Sequence, residues 1–303
     1  MLIFKYVSPS VLGRIFEERD SVGFKFSYLS DYNDPYEFFL TINDPENDPM
    51  IAACFLDLMR QVTGFPATCF SLKPDIIPMW AHYANNSSGF VIVLDDEVLV
   101  NSIPQCVVDN VQYEDACVPL SLDLVKRAAF ICKPRYSMML SRSMFARGYF
   151  YKHSYWSYEC ERRVVLQGNY KELLNDNMVV NVGADSVRAI ICGPRASDGD
   201  VDSCRAICGD RELGFYRMVV GRNSMKPYFI TDDSEPLIFD GTDFVTPDNW
   251  CEECLEPMDG DISKCAWCTL TEDDVEYASS RNPLNLLARY GLLEEYVAAT
   301  NKI

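Results

Sequence analysis

The sequence predicts an α+β protein in which a mostly antiparallel sheet is flanked by helices and followed by a small four-cysteine module. Three observations carry that reading. Strand-like segments outnumber the regular strand–helix alternations of a doubly wound parallel sheet. No glycine-rich phosphate loop of the Walker or Rossmann type occurs in the chain. Two Cys-x-x-Cys pairs, Cys251/Cys254 and Cys265/Cys268, stand ten residues apart inside the most acidic stretch.

The elements follow in order. Leu2 to Val7 is apolar and rich in β-branched and aromatic residues, as a strand is, and Ser8-Pro9 opens a helix with Val11, Leu12, Ile15 and Phe16 on one face. Phe24 to Tyr28 alternates as a second strand. Asp48-Pro49 starts a helix whose stripe of Ile51, Phe55, Leu58, Met59 and Val62 ends at Gly64. Ala67 to Ser71 is a short strand, Pro78 introduces a brief helix, and the turn Asn86-Ser87-Ser88-Gly89 leads into a strand from Phe90 to Leu94. Further strands are expected at 106–113, 158–166, 187–192, 215–220 and 228–231, with helix over 121–150, broken near Pro134, and around 204–208. Leu284, Leu287, Tyr290, Leu293 and Val297 form the apolar row of a terminal helix, 283–299. The chain thus divides into an α+β domain over 1–230, an acidic zinc-ribbon-like module over 231–280, and a terminal segment, 281–303, whose helix docks on the body.

Of 303 residues, 48% are hydrophobic and 24% charged, which is the composition of a folded globular chain. No apolar run reaches the roughly 18–20 residues of a membrane span, and the first residues lack the basic flank and long apolar stretch of a signal peptide, so a soluble protein without membrane contact is expected. The net charge of -18 is uneven, because residues 231–280 hold 15 acids and one base, Lys264. A phosphate backbone would be repelled there, which excludes nonspecific nucleic-acid binding by the whole chain and leaves the module a surface for a basic protein partner. Nine of thirteen cysteines are scattered at mostly apolar positions, which points to the reducing cytoplasm. The other four, Cys251, Cys254, Cys265 and Cys268, have the spacing that closes a tetrahedral structural zinc site, with Trp267 expected to shield it. A pair of redox-active dithiols is the competing reading.

Period-2 geometry over Tyr158 to Leu166 puts Glu159, Glu161 and Arg163 on one face of a strand and Cys160, Val164 and Leu166 on the other, with Arg162 a misfit among the apolar side chains. Neighbouring carboxylates raise one another's pKa while an adjacent guanidinium lowers it, so two glutamates there can take different roles. The plainer reading is a solvated strand face with an ion pair. Trp80, His82 and Tyr83 in the block Met79 to Phe90 offer stacking faces and hydrogen-bond donors to a planar ring, or else are core. Asn33-Asp34-Pro35-Tyr36-Glu37 has the chemistry of an Asx turn, and Thr68-Cys69-Phe70-Ser71 alternates between two faces.

Taken in order, Asn33-Asp-Pro-x-Glu37, Cys69-Phe-Ser71, Met79-Trp-x-His-Tyr-Ala84 with Gly89-Phe90, Trp156-x-Tyr-Glu-x-Glu-x-Arg163 and Ile191-Cys-Gly-Pro194 resemble a bacterial and phage family of uncharacterised domains, over about residues 1–230. The layout in turn resembles, more remotely, ADP-ribosyltransferases. These have a split sheet with a first strand bearing a polar or basic residue, a central strand bearing Ser or Tyr, and a late strand bearing the catalytic glutamate, often as Glu-x-Glu. That resemblance implies Glu161 as the main catalytic carboxylate with Glu159 supporting it, and NAD as substrate. NAD contacts would come from Lys5 or Tyr6, Ser71, Trp80, His82, Tyr83 and Arg163, with Ser71 holding the Glu161 carboxylate. It implies transfer of ADP-ribose to an unnamed macromolecular acceptor, in a toxin-like or phage–host conflict role. Where one transferase class carries Arg and another His on the first strand, this chain has Lys5-Tyr6, and Arg14, Arg163 and Arg195 are the guanidiniums that could substitute. Two other classes stay open: an NAD or nucleoside glycohydrolase using the same glutamates with water, and a non-catalytic acidic interaction protein.

Overall fold

In the interior of the chain's main sheet lies its first strand, β1 (Leu2–Val7), whose Ile3 and Val7 enter the core on one side while Phe4 and Tyr6 enter it on the other. The structure, a computed structural model, describes residues 1–62, 64–169, 171, 174–260 and 262–300. After β1 come α1 (Pro9–Ile15), β2 (Ser21–Lys25), α2 (Pro49–Val62), β3 (Ala67–Ser71), α3 (Ile77–Tyr83), β4 (Phe90–Asp95) and α4 (Asp96–Ser102). β5 (Cys106–Asn110), β6 (Gln112–Glu114), α5 (Leu122–Lys126), α6 (Pro134–Phe150), β7 (Tyr151–His153), β8 (Glu161–Leu166), β9 (Val179–Gly183) and β10 (Val187–Cys192) follow. The chain continues through α7 (Asp198–Arg211), β11 (Gly214–Val219), β12 (Tyr228–Thr231), β13 (Pro236–Phe239) and β14 (Phe244–Val245) to four short helices, α8 (Ala266–Thr269), α9 (Glu272–Arg281), α10 (Pro283–Arg289) and α11 (Leu293–Thr300).

Ten strands form one sheet in the order β14-β13-β12-β11-β10-β4-β1-β3-β8-β5, antiparallel except for β10 beside β11. This is the mixed α+β architecture expected. One junction differs from the rest: β1 pairs with β4 at six register positions and β3 with β8 at five, but β1 meets β3 at one alone, Phe4 opposite Ser71. The two strands separate beyond that pair. On one face of the sheet, Ile3, Ile92, Val164 and Leu166 pack with α1, α4, α7 and the β2–β9 pair; on the other, Phe4, Val91 and Ile191 pack with Met79 and Trp80 of α3. Helices α2, α5 and α6 build a third core around Ile51, Phe55, Leu140 and Met144.

Two expectations are corrected and one is refined. The strand expected from Tyr158 starts only at Glu161, because residues 154–159 form a 3-10 turn and Cys160 takes a left-handed backbone at φ 44. The break near Pro134 is a π-helical turn, Arg127–Ile131, ended by left-handed Cys132 and by Lys133, which stays extended as a residue before proline must. The terminal helix is two helices and does not dock. Gly291 at φ +70 ends α10, with Leu292 N–H donating to the Leu287 carbonyl and Gly291 N–H to that of Ala288, a glycine cap that outweighs the apolar row running through it. Leu284, Tyr290 and Val297, which a docked helix would cover, are 52%, 77% and 45% exposed. Residues 301–303 of that segment lie outside the described residues. No helix among the described residues is long and apolar enough to cross a membrane.

Candidate active site and metal centre

A cleft of about 1100 Å³ opens where β1 and β3 part, walled by α1 and the β2–β9 pair and floored by β1, β3 and the start of β8. The sheet aligns Ser71 with Phe4 on one side and with Glu161 on the other, so the first-strand, central-strand and late-strand positions are neighbours. Lys5, Tyr6, Ser71, Tyr83, Glu159 and Glu161 all line the cleft.

The carboxylates are held by a buried charge network. Arg163, fully enclosed, spends all five of its N–H groups: two on Glu161 (2.5 and 3.1 Å), two on Glu37 (both 2.9 Å) and one on the Tyr149 carbonyl (2.9 Å). Lys152 lies 2.8 Å from Glu159, 3.1 Å from Glu37 and 3.3 Å from Glu161. Burial alone would raise the pKa of Glu161, but Arg163 and Lys152 overcome it and hold that carboxyl down at about 2. Glu159 moves the other way: burial and then the Glu161 charge raise its pKa, against the opposing pull of Lys152 and of the Tyr83 hydroxyl, which donates to it at 2.5 Å. The two glutamates are therefore electrostatically distinct, one a fixed anion and the other able to take a proton. The face that alternation marks as solvated is buried, and the misfit Arg162 pairs bidentately with Asp96 at 3.0 and 2.8 Å.

The other expected residues divide. Lys5 crosses the opening between β1 and β3, its ammonium donating to Thr68 Oγ1 (2.9 Å) and the Cys69 carbonyl (2.7 Å), and burial lowers its pKa. Beside it, burial pushes the Cys69 thiol up to about 12, so it is no thiolate nucleophile. Tyr6 is buried with its hydroxyl on the Lys73 carbonyl. Ser71 does not touch the Glu161 carboxylate: its hydroxyl donates to the Glu159 carbonyl at 2.7 Å and so fixes the turn between the two glutamates. Trp80 is fully buried with its indole N–H on the Pro74 carbonyl, a core residue that no ligand in the cleft can stack on. His82 is exposed outside the cleft, its ring 6.2 Å from that of Tyr158. Arg163 stands behind the carboxylates and lines no part of the cleft; of the three alternative guanidiniums, Arg14 alone does.

Two site residues were missed. Glu37, in the segment read as a turn, is the third carboxylate, and Asp34 does make that turn by accepting the Tyr36 N–H at 2.9 Å. Lys152 carries no motif. Its only sequence signal is a lone ammonium in the aromatic-rich run that leads into Glu159.

In the second centre, the Sγ atoms of Cys251, Cys254, Cys265 and Cys268 lie within 4.8 Å of one another. Tetrahedral zinc–sulfur bonds imply sulfur–sulfur edges of about 3.8 Å, and Cys254 and Cys265 are 3.8 Å apart. The group fits a metal ion, and the choice of four thiolates fits zinc in a closed structural site. Trp267, expected to shield it, is half exposed. Two contacts tie the module to the sheet: Tyr228 donates its hydroxyl to the Cys254 carbonyl (2.8 Å), and buried Glu256 accepts the backbone N–H groups of Arg222, Asn223 and Ser224.

Residues 79–164 match the sequence model of a family described as "Protein of unknown function (DUF2971)". The matched stretch, a little over a quarter of the chain, runs from α3 into β8 and carries Tyr83, Lys152, Glu159, Glu161 and Arg163, while Lys5, Glu37, Ser71 and the four cysteines fall outside it. No curated protein and no solved structure matches the chain.

Proposed function

We propose that the protein cleaves the nicotinamide–ribosyl bond of NAD and transfers ADP-ribose to a macromolecular acceptor, in the cytoplasm and in a phage–host conflict or toxin-like setting. The observation that carries this reading is the adjacency of β1, β3 and β8 around one opening in the sheet, with Lys5, Ser71 and Glu161 at the positions that the ADP-ribosyltransferase resemblance marks. The single register pair between β1 and β3 supports the split-sheet form of that resemblance.

The chemistry suits the electrostatics. As the C1′–N bond breaks, its electron pair leaves with neutral nicotinamide, so no strong acid is needed, and positive charge develops on the ribose. Glu161, kept ionised by Arg163, stabilises that oxocarbenium-like charge. The acceptor's nucleophilic atom then bonds to C1′ and gives up a proton, which Glu159 takes; its raised pKa makes it a stronger base than an ordinary carboxylate. Tyr83 and Lys152 orient the Glu159 carboxyl through its two oxygens.

The test is incubation of the purified protein with NAD, with nicotinamide release and label transfer to cell extract followed separately. Both are expected, and both are expected to fall by about 10²–10³-fold in Glu161→Gln. Nicotinamide release without any labelled macromolecule would assign the site to a glycohydrolase. Full biological activity of a Glu159→Gln/Glu161→Gln protein would assign it to a non-catalytic interaction protein.

A further inference from the structure

None of the helices α8 to α11 buries a single residue. α9, α10 and α11 are ten, seven and eight residues long, and isolated helices shorter than about 12–15 residues are marginal in water. Yet α9 and α10 are specified locally. Thr271 and Asp274 form a reciprocal capping box on α9, Asn282 caps α10, and Gly291 ends it. What the arm lacks is a surface to cover Leu284, Tyr290, Tyr296 and Val297. It is also acidic, with Glu272, Asp273, Asp274, Glu276, Glu294 and Glu295 against Arg281 and Arg289.

The complement of that arm is present on the same chain. Residues 121–150 hold six basic side chains and one acid in a protein of net charge -18. Around the π-helical turn and the start of α6, Phe130, Ile131, Met138 and Met139 are about half exposed. Around them stand Lys126 at the end of α5, Arg127 in the π-helical turn, Lys133 just before α6, and Arg135 and Arg142 in α6; Lys126 and Arg127 are paired with Glu46 and Asp123. Exposed apolar clusters edged by charge mark interaction surfaces, and here one surface is basic and the other acidic.

We propose that the acidic arm of one copy docks on the basic, methionine-rich patch of a second copy. Reciprocal exchange uses both surfaces of both chains and closes as a two-fold dimer. The apolar residues supply the burial that the arm lacks, and the charges set partner and orientation. The proposal does not depend on the reading of the cleft.

Light scattering on the full-length protein across a concentration series tests it. A dimer is expected, weakened by added salt. Lys133→Glu/Arg142→Glu should weaken dimerisation by about tenfold or more; both side chains are at the surface, and circular dichroism checks that the fold is kept. Asp273→Lys/Glu276→Lys should weaken it similarly, and mixing the two variants should restore association, because both contacts of the mixed dimer then pair opposite charges. A monomer at every concentration, or a dimer indifferent to both variants, overturns the proposal. So does a monomer that instead binds phosphatidylserine vesicles through the basic patch.

Discussion

The cleft and the cysteine module both concentrate negative groups, and they neutralise them from opposite sources. In the cleft, Glu37, Glu159 and Glu161 are met by Lys152 and Arg163 from the chain itself, so the carboxylates are arranged before any ligand arrives. In the module, fifteen acids accompany one base over 231–280, and four sulfurs converge on one point. A site that chemistry needs in one geometry can afford buried side-chain cations. A segment with almost no apolar interior must import its neutralising charge, and with it much of its folding energy.

The largest expected effect breaks the comparison at the module. Structural zinc binding is worth about 10–16 kcal/mol in small domains, so Cys265→Ser or chelation under reducing conditions should remove about one equivalent of zinc. Hydrogen-exchange protection should be lost over 249–268 and, through Glu256, at Arg222 to Ser224. NAD cleavage should persist in the metal-free protein. Its loss would mean that the two regions are not independent.

The next effect lies in the cleft. Glu161→Gln should lower nicotinamide release by about 10²–10³-fold, the scale of a lost electrostatic stabiliser. The variant should also melt earlier, because removing one member of a buried charge network costs up to about 3–5 kcal/mol. Arg163→Met should destabilise at least as much, since it strands both Glu37 and Glu161.

Acid sharpens the contrast within the cleft. Because the Glu161 pKa is depressed from 4.5 to about 2 in the folded protein, its contribution to stability is full above 4.5 and drains away as pH falls toward 2. Denaturant midpoints at pH 5 and pH 3 should therefore differ more in the parent than in Glu161→Gln. The acid limb of ADP-ribose transfer should instead report Glu159, at a pH above 4.5, and should vanish in Glu159→Gln. The smallest effect is Tyr83→Phe. Its hydroxyl lowers the Glu159 pKa, so losing it should move that limb to higher pH with little change in melting temperature.

Much of the fold was legible because β1, β3, β4 and β10 are apolar runs buried on both faces. The onset of β8 was not, since a left-handed cysteine leaves no signature that a glycine would leave. Glu159, Glu161 and Arg163 were legible as a cluster from spacing, but Glu37 comes to Arg163 across 126 residues, and only the folded chain reveals that approach. The thiol module was the most legible part, because its four ligands lie close together in sequence. The terminal helix misled because an apolar period continued through a residue whose backbone freedom ends helices.

The lone pair Phe4–Ser71 has a mechanical meaning. Seven strands, β14 to β1, form one panel and three, β3, β8 and β5, form another, and the ladder joins them by a single pin. The angle between panels is then inherited from what spans them outside the ladder: α1, whose Leu12 and Ile15 share one core with Val7 of the first panel and Phe70 of the second, and the Lys5 ammonium on Thr68 and the Cys69 carbonyl. Changing side-chain volume on α1 should accordingly widen or narrow the aperture above Glu161, leaving every residue of its floor intact.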